Sequence, residues 1–249
     1  MFFWRLAVTS ACIAGVSGGS ELTILKHVLE ELGVPGDQVN RSIEPDYNDQ
    51  KYQVVFTSPH DSDRKVTKIW MNSVNLAGVI PAALNQLRSL EEVQMMDNQL
   101  HGKIPSLEGM TCLEVLSLAR NNLEGPIPAT LGRQLRNITW LDLEGNKLTG
   151  PIPPELGNLN DLTLLKLDGN KLHGDIPGSL WNLSFLWILA LSNNRLRGSI
   201  GPLTNLENLK ELQLNGNTLN GTIPQDVGNL TNLMVLDLSD NQLHGKIPS

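Results

Sequence analysis

The chain has 249 residues, with 19 Lys and Arg against 26 Asp and Glu, and a formal net charge of −7. That length suits one large domain, and the acidic balance excludes the basic footprint that nucleic-acid binding requires. Two cysteines, Cys12 and Cys112, leave no paired C-x-x-C metal or redox motif.

In chain order, the first stretch is residues 1–19. Arg5 is followed by the short apolar run Leu6–Val16 and then by Ser17, Gly18 and Gly19. This pattern predicts a secretory signal and hence a secreted or cell-surface location; the competing reading is a buried first helix of a cap. The run is well short of the roughly 20 residues that cross a membrane. Residues 20–64 read as an N-terminal cap. Leu22, Leu25, Val28, Leu29 and Leu32 lie at helical spacing and end at Gly33 and Pro35, so a helix is predicted over Glu21–Leu32. Residues 36–51 are polar and predict loop. Tyr52–Thr57 predicts a strand that pairs with the first strand of the repeat region, with Ser58–Arg64 as the turn.

From residue 65 onward one sentence recurs: L-x-x-L-x-L-x-x-N-x-L-x-G-x-I-P. It opens at Val66, Leu90, Leu113, Ile138, Leu162, Leu186, Leu209 and Leu233. A self-similar period of this length with this leucine spacing predicts an α/β solenoid, a leucine-rich-repeat superhelix of eight ~24-residue coils. In Leu141-Asp142-Leu143 the apolar residues alternate with a polar one, which is the pattern of a half-buried strand. Side by side these strands predict a concave parallel β-sheet. The leucines three apart in Leu156–Leu162 predict short helical or 3₁₀ turns on the convex side. Asn146 and its counterparts predict a ladder of side-chain amides bonded to the turn backbone, where no regular structure satisfies it. The first coil departs by placing Val74 at the asparagine position, with Asn75 beside it. The sixth has Gly201 in place of proline. Only Ser249 follows the eighth coil, so a C-terminal cap is expected to be absent. An uncovered last coil is expected to expose Leu236, Leu238, Leu243 and Ile247. Either the sequence is a fragment, or the edge is covered by another chain, self-association included.

The repeat sentence resembles the plant-type extracellular leucine-rich repeats. That class includes ectodomains of receptor-like kinases, receptor-like proteins and polygalacturonase-inhibiting proteins. The resemblance is strong over Val66–Pro248 and weaker over the cap. It implies a binding module rather than an enzyme, with no cofactor. It also implies cap cysteines, and there the chain departs: Ser58 stands near the expected cysteine and no upstream partner exists. With Cys12 in the signal, Cys112 is expected to be a lone, partly exposed thiol.

The outward positions of the concave strands are the surface such solenoids bind with. The candidate ligand-binding residues are Met96, Trp140, Asp142, Glu144, Leu164, Lys166, Asp168, Ile188, Ser192, Gln213 and Asn215. Trp140, Leu164 and Ile188 form an apolar strip beside the acids Asp142, Glu144 and Asp168, which suits a peptide or protein carrying a basic residue. The acids are expected to be solvated and non-catalytic. Trp70 either extends this face or packs on the cap. His101, His173 and His244 lie three coils apart, roughly 14 Å at the strand spacing, so they cannot share a metal ion. Asn40, Asn137, Asn182, Asn220 and Asn229 are glycosylation candidates. The leading function is a receptor-like ectodomain recognising a protein or peptide ligand. The alternatives are a secreted inhibitor of a cell-wall-degrading enzyme and an ice-binding repeat protein.

Overall fold

The structure, a computed structural model, describes residues 18–42, 52–57 and 65–248. The predicted signal segment lies almost wholly outside these residues, and the Ser58–Arg64 turn lies entirely outside them. The cap opens with helix α1 (Gly18–Glu31). Its apolar face is the one the spacing marked: Leu25, Val28, Leu29 and Leu32 have no solvent exposure. Polar residues 36–51 were expected to be loop, yet Gly36–Ser42 forms a second short helix, α2. Pro35 starts it, since its carbonyl accepts from the backbone N–H of Gln38 and Val39 at 2.8 and 2.9 Å. Val39 anchors the helix at 2 % exposure, so a single apolar residue sufficed where periodicity gave no signal.

The strand Gln53–Phe56 pairs antiparallel with Val66–Trp70, the first repeat strand. Among the described residues the concave sheet has nine strands. The other eight run parallel in chain order, from Val66–Trp70 to Val235–Asp237, one after each opening position of the repeat. Registers are strict from coil to coil, as in Val115↔Trp140↔Leu164↔Ile188 and Ser117↔Asp142↔Lys166↔Ala190. The central residue of each strand points into the solenoid. Val93, Leu116, Leu141, Leu165, Leu189 and Leu212 are at most 1 % exposed, each contributing roughly 1.5–3 kcal/mol of burial. No coil could bury these side chains alone, so stability accumulates interface by interface.

The asparagine ladder forms as expected. Asn146 Nδ2 donates to the carbonyls of Leu118, Leu143 and Glu144 at 3.0–3.2 Å, and its Oδ1 accepts from the Leu123 N–H at 3.0 Å. Each amide therefore stitches its own turn to the preceding coil. At the first coil, where Val74 replaces asparagine, Asn98 Oδ1 accepts from both Val74 and Leu76. The ladder thus ends by doubling the load on its first rung.

A second sheet was not anticipated. Among the described residues six short parallel strands, from His101–Gly102 to Thr218–Asn220, line the solenoid beyond the ladder. Each has one inward leucine, within the strand or just before it, and a glycine near φ +80 close to or just beyond its end, for example Leu148 and Gly150. A strand with a single inward residue shows no period of two. Short 3₁₀ turns follow at Ala82–Gln86, Pro154–Asn158, Gly178–Asn182 and Gln225–Asn229, and a short helix α3 at Thr130–Gln134. The repeat proline opens them: Pro153 O accepts from the Leu156 N–H at 3.1 Å. Gly201 has a packing reason, because a Cβ there would sit 2.2 Å from Nε1 of the buried Trp181.

Cys112 corrects an expectation. It is 4 % exposed and disulfide-bonded, rather than a lone and partly exposed thiol. It lies in the groove ahead of the strand that already half-buries Ser89, Asn137 and Asp161, and the compact sulfur side chain sinks further. Cys12 lies outside the described residues. In the last coil Leu236 and Ile247 are exposed at 43 and 86 %, whereas Leu238 and Leu243 still lean on the core.

Candidate functional site

Strand alternation turns the flanking residues of each repeat strand to the concave face, and the parallel register stacks them about 4.8 Å apart. Trp140, Leu164 and Ile188 stand in one row. Trp140 is 38 % exposed, Leu164 is packed down to 9 %, and Ile188 is half-buried. Trp70 is held within its own end of the sheet. Its Nε1 donates to Glu92 Oε2 at 3.0 Å, and Lys68 Nζ lies 5.2 Å over its ring while pairing with Glu92.

The acids were expected to be solvated, whereas Asp142 is buried and Asp168 and Glu144 are half-buried. Asp142 is only 4 % exposed, and burial pushes its carboxyl above the usual range despite the Glu144 N–H donated to its Oδ1 at 3.1 Å. Asp168 is pushed up to about 6, first by burial and then by the Glu144 carboxylate; its Oδ1 is shut off from solvent and has no hydrogen-bond partner. The large flanking side chains of a tightly registered sheet shield the short ones between them. The sequence pattern shows which way a residue points, not how deep it ends.

Two residues outside the expected set complete this patch. Arg120 lies between Asp97 and Glu144, making a two-pronged bond to Asp97 with the Nη2–Oδ2 arm at 2.8 Å and reaching to 3.7 Å from Glu144. The guanidinium beside Asp97 holds that carboxyl below its ordinary value. Arg120 occupies the left-handed position ahead of the ladder asparagine, at φ 52, where the next coil has Gly145. A Cβ on Gly145 would crowd the Arg120 side chain at 3.1 Å. An arginine in a column otherwise made of Gly, Asp, Asn and Ser was the available signal. Ser117 is the second: it sits beside Asp142 in register, is 1 % exposed, and its Oγ has no partner.

Of the expected residues, Trp140, Asp142, Glu144, Leu164, Lys166, Asp168 and Ile188 come together on three adjacent strands and the turns after two of them. Lys166 approaches Glu144 only to 3.9 Å. Met96 joins from one side through Arg120, whose Nη2 is 3.9 Å from its sulfur. Ser192, Asn215 and Gln213 stand further along and are bonded within the sheet, Ser192 Oγ donating to Asn215 and Gln213 Nε2 to Glu211. His101, His173 and His244 are exposed on the far side, and no cluster suited to a metal ion occurs among the described residues. Of the sequons, Asn40, Asn182, Asn220 and Asn229 are exposed, whereas half-buried Asn137 donates Nδ2 to Thr111 O at 2.8 Å. Asn208 and Asn232 make the same bond to their preceding coils, a second amide ladder that the repeat sentence did not reveal.

Residues 86–247 match the family described as Leucine-rich repeat region. A probable LRR receptor-like serine/threonine-protein kinase of Arabidopsis thaliana is 36 % identical over 70 residues, which is 28 % of this chain and 8 % of that protein. The Arabidopsis receptor kinase HAESA, solved in complex with the peptide hormone IDA and the co-receptor SERK1, is 38 % identical with a TM-score of 0.71, covering 73 % of this chain and 31 % of that one. PEPR1, solved as PEPR1-AtPEP1, is 28 % identical with a TM-score of 0.79, covering 92 % of this chain and 32 % of that one. The chain therefore spans less than a third of the length of each of these three. Among the described residues no helix is long and apolar enough to cross a membrane. With its repeat, its stacked parallel sheet and a family match over more than half its length, the chain belongs to the leucine-rich-repeat family, and its relatives are plant receptor-like proteins.

Proposed function

We propose that this chain is a non-enzymatic recognition module that binds a peptide or an extended protein segment on its concave face, as the extracellular part of a receptor-like protein. The observation that carries this reading is the row Trp140–Leu164–Ile188 beside a group of incompletely paired acids, on a sheet whose remaining outward positions are mostly polar and bonded to one another. A half-exposed tryptophan flanked by aliphatic side chains is the kind of anchor that dominates binding energy at interfaces. The complexes of HAESA with a peptide hormone and of PEPR1 with AtPEP1 support it by likeness.

The likeness to a solved plant ice-binding protein, 22 % identical with a TM-score of 0.61, shows the fold alone, and the inhibitor reading has no observation of its own. The central outward column runs Gln94, Ser117, Asp142, Lys166, Ala190, Gln213, Asp237, without the regular short polar array that an ice surface requires. The test is selection of displayed random peptides on the immobilised protein, followed by affinity measurement on Trp140→Ala, Ile188→Asp and a convex control, His173→Ala. Loss of affinity in the two concave variants alone is the expected result. Peptides that bind all three variants as tightly as the parent protein would remove the concave-face reading.

A further inference from the structure

Resting on that reading, we infer that the patch holds a subsite for a cationic head group, the ammonium or guanidinium of a basic residue in the bound peptide, cradled by Asp142, Asp168 and Ser117 with Glu144 at its rim. Four carboxylates gather there, Asp97, Asp142, Glu144 and Asp168, against two cations, Arg120 and Lys166. Arg120 is committed to Asp97 through two bonds and only leans toward Glu144. Lys166 touches none of the acids closely, standing 3.9 Å from Glu144. Negative charge is therefore left over where the sheet is least wet.

Three further observations go beyond a count of acids. Ser117 Oγ is buried without a partner, and since Leu116 points inward, alternation turns Ser117 to the concave side next to Asp142. Asp168 Oδ1 is likewise closed to solvent and unbonded. Among the described residues four buried side-chain atoms lack a partner, Ser106 Oγ, Ser117 Oγ, Thr130 Oγ1 and Asp168 Oδ1, and two of the four fall in this one patch, where each is a standing cost. A guanidinium brings five donors and an ammonium three, so one head group satisfies the orphan carboxylate oxygen and the Asp142 carboxylate together, and Ser117 Oγ can then donate to Asp142. Trp140 stands two residues before Asp142 on the same strand and face, about 7 Å away. That distance lets the alkyl stem of the basic residue lie on the indole while its charged head reaches the acids.

The groups that face these carboxyls are Glu144, Lys166 and Arg120 around Asp142, and Glu144, Lys166 and Asp142 around Asp168. The next coil contributes Ala190 and Ser192, which carry no charge. Asp168 is pushed up to about 6 by burial and the Glu144 carboxylate, so its charge is present at pH 7.5 and lost by pH 5.

The experiment uses displayed random heptapeptides at pH 7.5 in low salt, selected on the parent protein and on the Asp142→Asn, Glu144→Gln, Asp168→Asn triple variant. The best free peptide and its Lys/Arg→Gln analogue are then titrated calorimetrically. Expected are Lys or Arg at one dominant position for the parent protein, loss of that preference in the triple variant, and a weakening of about tenfold for the analogue. Affinity of the parent protein falls several-fold between pH 7.5 and 5, and Asp168→Asn flattens that slope. The single variant carries the test if the triple variant does not fold. Enriched peptides without a basic residue, whose binding still requires Trp140, would overturn the cationic subsite and leave the concave-face reading intact. Absence of any Trp140-dependent peptide would overturn both.

Discussion

Two sets of buried polar side chains lie four residues or fewer apart on the same coils and have opposite fates. Asn146 and Asn170, in the turns, make four bonds each, to backbone of their own and the neighbouring coil. Asp142 and Asp168, on the concave side of those coils, are buried or half-buried too, yet they crowd like charge and leave Asp168 Oδ1 without a partner. Both sets cost desolvation. Only the turn set recovers it within the chain. The contrast separates what holds the solenoid together from what it holds ready for a ligand.

Substitution at the two sets should therefore move stability in opposite directions. The largest effect is expected for Asn146→Leu, which takes the acceptor from the Leu123 N–H and one of the two donors from each of the Leu118, Leu143 and Glu144 carbonyls; a loss of about 2–4 kcal/mol in chemical denaturation is expected. A loss within experimental error would break the distinction. Gly132→Ala is next. Its Cβ would fall 2.1 Å from the Glu155 carbonyl oxygen of the adjacent coil, and forcing the coils apart should cost about 1–3 kcal/mol. Asp168→Asn should go the other way, stabilising the free protein by roughly 1 kcal/mol at pH 7.5, a figure reduced for solvent screening because the group is only half-buried. The sign follows from an acid whose folded-state value is raised to about 6 from 3.8. Its contribution to stability is fully present below 3.8 and lost as pH rises through 6. Thermal melts of the parent and variant proteins should therefore converge near pH 4 and separate toward pH 7.5; a constant offset would show that Asp168 does not titrate in this window. The smallest effect belongs to Trp140→Ala. With 38 % of the side chain exposed, the loss of stability should stay under about 1 kcal/mol, while peptide affinity collapses.

Much of this was legible in the order of residues. The period of the repeat identified the solenoid, the direction of each leucine and the place of the ladder, because a stacked coil repeats one geometry and hence one sentence. The row Trp140–Leu164–Ile188 was legible for the same reason: a parallel register turns equal positions in successive coils into neighbours. Helix α2 and the second sheet were not, because a helix anchored by Val39 alone and strands with one inward residue carry no periodicity. Arg120 and Ser117 were missed because neither departs from the apolar pattern; what matters is the neighbour each meets one coil away.

The sequence by itself determined the architecture, since local alternation and a fixed period leave a chain of leucines only one way to share a core. Depth and pairing were decided by the tertiary structure. Whether Asp142 meets water, whether Asp168 finds a donor, and whether Arg120 reaches Asp97 depend on side chains some two dozen residues away. Burial and charge balance are sums over such neighbours, and they exist only once the coils are stacked.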